Sequence, residues 1–435
     1  MTRVRFVPPL SGPLHLPAAR VALANHLFAR RHAGHLLLRL DDLTGVVQAD
    51  TLMQDLAWIG VTWDGVMRQS ERRERHAEVF AGLERDGLVY PCFETEEELK
   101  AKQTFRLKRG QSAIYDRAML RLTDKQRRDA EAGGKRPHWR FKLSGRVIGW
   151  RDMVEGHRDV ALATVSDPVL MQADGTPAAL FASLVDDIDN KTTHVIRGED
   201  SPGNTAIQIE LLEVLTGHGS GLRFAHLPAE AVRTRSRSGD APNRRGGPVS
   251  VRGLRQDGVE PAALAAALLG RREPDMPMSE AFRLADLKDA EFDMGRLLQV
   301  NRKALALLPF GAVADRLPPG ATEAFWLAVR GSLDLLKEAR GWWDVVAGQI
   351  VPPVVEGEQP LLRQAAAILP EEPWGHDIWA QWLAALIRLS GRPQAEIVMP
   401  LRLALTGEDS GPDIADLLPL IGRARCINRL ETAGA

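Results

Sequence analysis

The opening stretch constrains the fold most. Val4-Arg5-Phe6-Val7 reads as a short strand, and Pro8-Pro9-Leu10-Ser11-Gly12-Pro13 is too crowded with breakers to be anything but a loop. From Leu16 to about Arg31, apolar residues recur at helical spacing, at Val21, Leu23, Ala24, Leu27 and Phe28. Gly34 ends that helix. His35-Leu36-Leu37-Leu38-Arg39-Leu40 is the nearly continuous apolar run of a strand buried on both faces. Strand, helix and strand within about 40 residues make a βαβ unit, which implies a parallel sheet.

The chain has 435 residues, enough for about three domains at roughly 150 residues each. Apolar residues are 44% and charged residues 26%, a globular rather than a disordered composition. Lys plus Arg is 56 against 57 Asp plus Glu, a net charge of −1. That balance rules out a wholly basic nucleic-acid coat but leaves room for a local basic groove. Cys92 and Cys426 are the two cysteines, too few for a disulfide framework or a Cys-rich zinc site, and a reducing compartment fits them. The first residues do not form a signal peptide, and no uncharged run approaches the ~18 residues of a membrane span. A soluble, cytoplasmic protein with no membrane partner is expected.

Further along, residues 94–136 are charged and helical in pattern. His138-Trp139-Arg140-Phe141-Lys142 alternates like a strand, with Val147-Ile148-Gly149-Trp150 expected to pair with it, and the segment reads as an insertion. A sheet-like run from Ala179 to Ile188 follows, then a strand through Thr193-His194-Val195-Ile196-Arg197 into a polar turn. Residues 233–255 hold Arg233, Arg235, Arg237, Arg244, Arg245, Arg252 and Arg255 among glycines and prolines, a basic loop. Beyond about residue 260 the pattern is mainly helical, and Trp326, Trp342, Trp343, Trp374, Trp379 and Trp382 concentrate in the last part of the chain.

Four places carry candidate chemistry. Ser11 to Ala18 lies where a strand ends and a helix starts, and free N–H groups at a helix start favour phosphate; a turn with a capping His15 is the alternative. Arg39-Leu40-Asp41-Asp42 ends the next strand, and ligands of open parallel sheets bind outside carboxyl ends; ordinary strand-end polarity is the alternative. Arg197 ends another strand and could hold a carboxylate bidentately or form a structural ion pair. The arginine-rich loop suits phosphate contact or simple solvation.

Taken in order, these blocks resemble the glutamyl-tRNA synthetases. The blocks are Arg5-Phe6, His15 at a helix start, Arg39-Leu40-Asp41-Asp42, Tyr90-Pro91-Cys92, Tyr115-Asp116, Asp186-Asp187 and Thr193 to Asp200. Asn204-Thr205, His226-Leu227-Pro228, Ser250-Val251, Gly258, Met399 to Gly407 and Gly411-Pro412 continue the resemblance over essentially the whole chain. The variant with Asp41 and with His138-Trp139-Arg140-Phe141 looks like the alphaproteobacterial branch. The resemblance implies an α/β Rossmann-like class I synthetase domain with an acceptor-stem insertion, followed by an all-α stem-contact and anticodon-binding half. Its expected divisions are a catalytic first half over 1–90, the insertion and return to the sheet over 91–184, and the second half over 185–235. A KMSKS-type loop and stem-contact region over 236–300 and a helical anticodon-binding domain over 301–435 complete it.

The implied substrates are glutamate, ATP with Mg2+, and tRNA, in a protein expected to be a monomer. Glutamate would be bound by Arg5, Asp41, Arg197, Asn204 and the position of Ala179. The HIGH-type site would comprise Ser11, Gly12, His15, Pro17 and Ala18, and the KMSKS-type loop Asn243, Arg244 and Arg245. The departures from the family fall on this chemistry. Pro17 stands for the glycine on which adenine packs, and Pro9 for a serine that helps hold the amino acid. Arg244 stands for the KMSKS-type lysine, and Ala179 aligns with a pocket tyrosine on the strand expected before Asp186-Asp187. Only Cys92 is available where the family's zinc-binding insertions use several cysteines, so no zinc and no metal site are inferred. Three readings follow: an impaired glutamate–tRNA ligase, a catalytically inactive tRNA-binding or regulatory paralogue, and an activating enzyme with altered amino-acid choice.

Overall fold

The computed structural model describes residues 1–10, 12–43, 45, 49–198, 202–217, 221–228, 249–274, 279–348, 350–375 and 377–434. The βαβ unit forms as read: β1 (Arg3–Phe6), the helix Leu16–Arg31 and β2 (His35–Leu40), with β1 and β2 parallel and Phe6 opposite Leu38. β3 (Gly65–Arg68) pairs parallel with β2 on the far side from β1. Between β3 and the return to the parallel sheet, around the expected insertion, lie β4 (Val89–Cys92), β5 (His138–Phe141), β6 (Val147–Asp152), β7 (Gly156–Ala161) and β8 (Val169–Met171). The chain then returns to the parallel sheet through β9 (His194–Gly198) and β10 (Arg223–Leu227), giving the order β10-β9-β1-β2-β3. The order reverses direction between β1 and β9, and a crevice opens there beyond the carboxyl ends of the strands.

Two local expectations are corrected. Ala179–Asp189 is a helix, not a strand. Its apolar residues Phe181, Leu184 and Val185 are buried at helical spacing, a pattern that a short apolar run does not distinguish from a strand. Val147–Trp150 does not pair with His138–Phe141. β6 pairs antiparallel with β7, while β5 lies between β4 and β8. The local hairpin prevails because Asp152 caps its turn, accepting from the Val154 and Glu155 N–H groups, both at 3.0 Å.

Three apolar cores support this arrangement. One runs from the parallel sheet and the helix Leu16–Arg31 into the helices Val251–Asp257, Pro261–Leu268 and Met294–Leu307. A second joins the insertion to the helices Ala179–Asp189 and Pro202–Thr216. The third is built from residues 305–433, around fully buried Trp326 and Trp382. Its helices, among them Ile378–Ser390, Gln394–Thr406 and Arg423–Ala433, show the helical character read from the tryptophan-rich pattern. At the junction, Gly258 has φ +88° and lies so close to Leu336 that a Cβ would sit 2.6 Å from the leucine Cβ. Among the described residues, no helix is long and apolar enough to cross a membrane.

Candidate active site

The crevice at the strand ends opens into a cavity of about 570 Å³. Arg5 from β1, Arg39 and Asp41 from the end of β2, Arg197 from β9 and Asn204 from the helix Pro202–Thr216 all reach it, together with Ala179, Pro17 and Ala18. The topology therefore brings together residues from distant parts of the catalytic half.

Four arginines, Arg5, Arg20, Arg39 and Arg197, line the crevice, and for Arg5 and Arg39 the helix Ala179–Asp189 supplies much of the compensation. Arg5 Nε donates to both oxygens of buried Asp187, at 3.1 and 3.3 Å. Arg39 Nη1 donates to the same carboxylate at 3.4 Å, Arg39 Nη2 to Ser183 Oγ at 2.7 Å and Arg39 Nε to Asp41 at 2.8 Å. Burial alone would lower the Arg39 pKa, but Asp187 and Asp41 outweigh it and hold the guanidinium above its ordinary value. Arg39 is thus a fixed buried cation, and it aims Asp41, whose side chain stays 23% exposed, toward the cavity.

Arg197 is held differently. Its Nη1 donates to Gln208 Oε1 at 3.0 Å, Nη2 to Thr205 Oγ1 at 2.6 Å and Nε to His226 Nε2 at 3.1 Å. Among the described residues, the cavity lining offers several guanidinium groups and the carboxylate of Asp41, a set that complements a small ligand bearing carboxylates and an ammonium group.

The other end of the cavity is the start of the helix Leu16–Arg31. Pro17 and Ala18 line it, and Pro9 lies in its wall. Pro17 is at the beginning of the helix, where its missing N–H costs no helical bond and its ring is exposed. Gly12 and His15 are not among the lining residues. The His15 ring instead lies with Nδ1 3.4 Å from the Val249 carbonyl oxygen, and the Val251 N–H donates to Leu14 O at 2.8 Å. Residues 249–251 are thereby stitched to the helix start, and Val251–Asp257, with Arg252 and Arg255, is a helix rather than the end of the basic loop read over 233–255. Ser11, Asn243, Arg244 and Arg245 lie outside the described residues.

Sequence reasoning named Arg39 only as part of a strand-end motif and missed Ser183 and Gln208. It also missed Arg20, which is 2% exposed, lines the cavity and donates from Nη2 to Leu287 O and Ala290 O at 2.6 and 2.7 Å. Burial pushes its pKa down to about 10. An arginine within the polar-and-apolar alternation of a helix gave no local signal of burial. In the insertion, burial pushes the Cys92 thiol up to about 11, and the neighbouring Tyr115 Oη donates to Glu94 at 2.7 Å.

Residues 1–235 match the family of class I tRNA synthetases (E and Q), catalytic domain, and residues 354–434 match an anticodon binding domain. A protein of Acidiphilium cryptum called glutamate–tRNA ligase 2 is 48% identical over 446 residues, covering 100% of both chains. The chain belongs to the glutamyl-tRNA synthetase family. A glutamate–tRNA ligase 2 of Gluconacetobacter diazotrophicus is 46% identical, covering 99% of each chain. The crystal structure of a glutamate tRNA ligase from Elizabethkingia meningosepticum in complex with its amino acid superposes with a TM-score of 0.80 at 25% identity, covering 100% of this chain and 99% of that one. The glutamyl-tRNA synthetase architecture thus extends over the whole length, and its catalytic half carries the cavity described above.

Proposed function

We propose that this chain is a slow glutamate–tRNA ligase that forms glutamyl-adenylate from glutamate and ATP and passes the glutamyl group to tRNA. The observation that carries the reading is the convergence of Arg5, Asp41, Arg197 and Asn204 on one cavity that continues to the helix start at Pro17 and Ala18. The ammonium group of glutamate would pair with Asp41, and its carboxylates with the guanidinium groups of Arg5 and Arg197. The α-carboxylate then attacks the α-phosphorus of ATP and pyrophosphate leaves. The terminal ribose hydroxyl of the tRNA attacks the acyl carbon in turn, releasing AMP. Both steps depend on positioning and on stabilising charge that develops on phosphate oxygens. Free N–H groups at the start of the helix Leu16–Arg31 face the phosphates in this scheme, with His15, Arg244 and Arg245 as their partners. Mg2+ would arrive with the ATP phosphates, and zinc has no part in the scheme.

The slowness follows from the same walls. The Pro17 ring occupies space at the nucleotide end, and Ala179 and Pro9 offer no side-chain hydroxyl at the amino-acid end. Losing one buried donor costs about 1–3 kcal/mol, so a few together remove several decades of rate. The position of Pro17 also favours a second reading, an inactive paralogue that binds tRNA through the insertion 91–184 and the helical part 301–435. Pyrophosphate exchange with glutamate, ATP and tRNA separates the two. Slow exchange that rises in the Pro17→Gly, Ala179→Tyr, Arg244→Lys triple variant supports the ligase. No exchange in either protein, with tRNA still bound, supports the paralogue.

A further inference from the structure

The carboxylate of Asp152 lies outside the cavity, yet it is linked to one of the cavity's guanidinium groups. Asp152 ends β6, inside the insertion, and its side chain is fully buried. Its Oδ1 accepts from the backbone N–H groups of Val154 and Glu155, both at 3.0 Å, and of His226 at 3.2 Å. Its Oδ2 faces His226 Nδ1 at 2.5 Å. A carboxylate can only accept, so Nδ1 carries a proton. On the opposite side of the ring, Nε2 faces the N–H donor Arg197 Nε at 3.1 Å, with the Thr205 hydroxyl 3.0 Å away. Nε2 must therefore present its lone pair.

We propose that Asp152 is a positioning residue: by fixing the His226 tautomer it orients Arg197, and through it the β6–β7 hairpin of the insertion sets the aim of the amino-acid pocket. The inference rests on the reading of that pocket as the glutamate site. A merely bracing role would lack one consequence. In Asp152→Asn, the three backbone N–H groups still require an acceptor, so the amide oxygen stays at the Oδ1 position and the NH2 turns toward His226. Nδ1 then becomes the acceptor and the proton moves to Nε2. There it confronts the Arg197 Nε–H, and the guanidinium is displaced. This is a tautomer error made without removing any heavy atom of the hairpin, the same logic by which an amide replaces the aspartate of a Ser-His-Asp triad.

The test uses the full chain with 15N-labelled histidine, the His226 signals being assigned by their loss in His226→Gln, and L-glutamate titrated by calorimetry. In Asp152→Asn, His226 should switch from the Nδ1–H to the Nε2–H form and glutamate affinity should fall about 10- to 100-fold. Asp152→Asn combined with His226→Gln should recover most of that loss, because the introduced glutamine can offer its oxygen to Arg197 without help from position 152. An unchanged tautomer in Asp152→Asn, or no recovery in the double variant, overturns the proposal. Should Asp152→Asn not fold, His226→Gln and His226→Leu carry the test: the glutamine variant should hold affinity within about threefold while the leucine variant does not, and equal losses refute it. A wild-type chain that binds no L-glutamate defeats the glutamate-pocket reading instead, and the tautomer switch still decides the role of Asp152.

Discussion

Replacing Pro17 by glycine tests the end of the cavity proposed to take the nucleotide. The ring is exposed, lines the cavity and stands in the first turn of the helix Leu16–Arg31. Overpacking in a close-fitted site costs about 1–3 kcal/mol, which corresponds to about one to two decades in affinity. Pro17→Gly should therefore tighten Mg2+–ATP binding about 10- to 100-fold. The same change has a structural cost. Proline at a compatible first-turn position restricts the unfolded chain by about 0.4–1 kcal/mol, and glycine adds helix entropy of up to about 1 kcal/mol. The variant should thus lose about 1–2 kcal/mol of stability and melt a few degrees lower. Calorimetric titration of ATP and a thermal melt measure the two effects independently. Pro13→Gly is the control, because Pro13 lies in the preceding loop and does not line the cavity. Affinity within about twofold of wild type in Pro17→Gly, alongside the expected melting shift, would refute the argument that the ring excludes the nucleotide.

Acid should weaken the Asp152 contact. Burial alone would raise this carboxyl, but the bonds from His226 and from backbone N–H groups hold it at about 2, against 3.8 for the ordinary group. That difference contributes about 2 kcal/mol, fully present above the unfolded value and lost as pH falls through the folded one. Denaturant titrations of wild type and Asp152→Asn should show their stability gap narrowing from pH 6 toward pH 3, and a constant gap would contradict the assignment. Gly411 has φ +130°, and a Cβ there would lie 2.2 Å from the Trp342 ring. Gly411→Ala should cost about 2–4 kcal/mol and shift tryptophan emission, whereas a loss under about 1 kcal/mol would show that the ring yields freely. tRNA affinity should fall steeply with salt as phosphate contacts release counterions, with a slope of about −0.7 to −0.9 per contacted phosphate. A flat filter-binding series would exclude a tRNA-binding role of either kind.

Read alone, the chain declares the elements whose signals are local. The helix Leu16–Arg31 and the strand His35–Leu40 were legible because helical periodicity and flanking breakers act within a few residues. The helical character of the last third was legible for the same reason. Asp41 and Arg197 were legible as polar residues at strand ends, where an open parallel sheet binds its ligands, whereas Arg5 and Asn204 were named through a resemblance alone. Three-dimensional packing was needed to establish that Ala179–Asp189 is helical, since a short apolar run suits either period until its neighbours are in place. Packing likewise established that Asp187 neutralises Arg5 across 182 positions, and that Asp152 grips His226 across 74. Such pairs leave no trace in periodicity or propensity. A buried charge is tolerated only where a distant segment supplies its partner, and which segment does so is settled by the order of strands in the sheet.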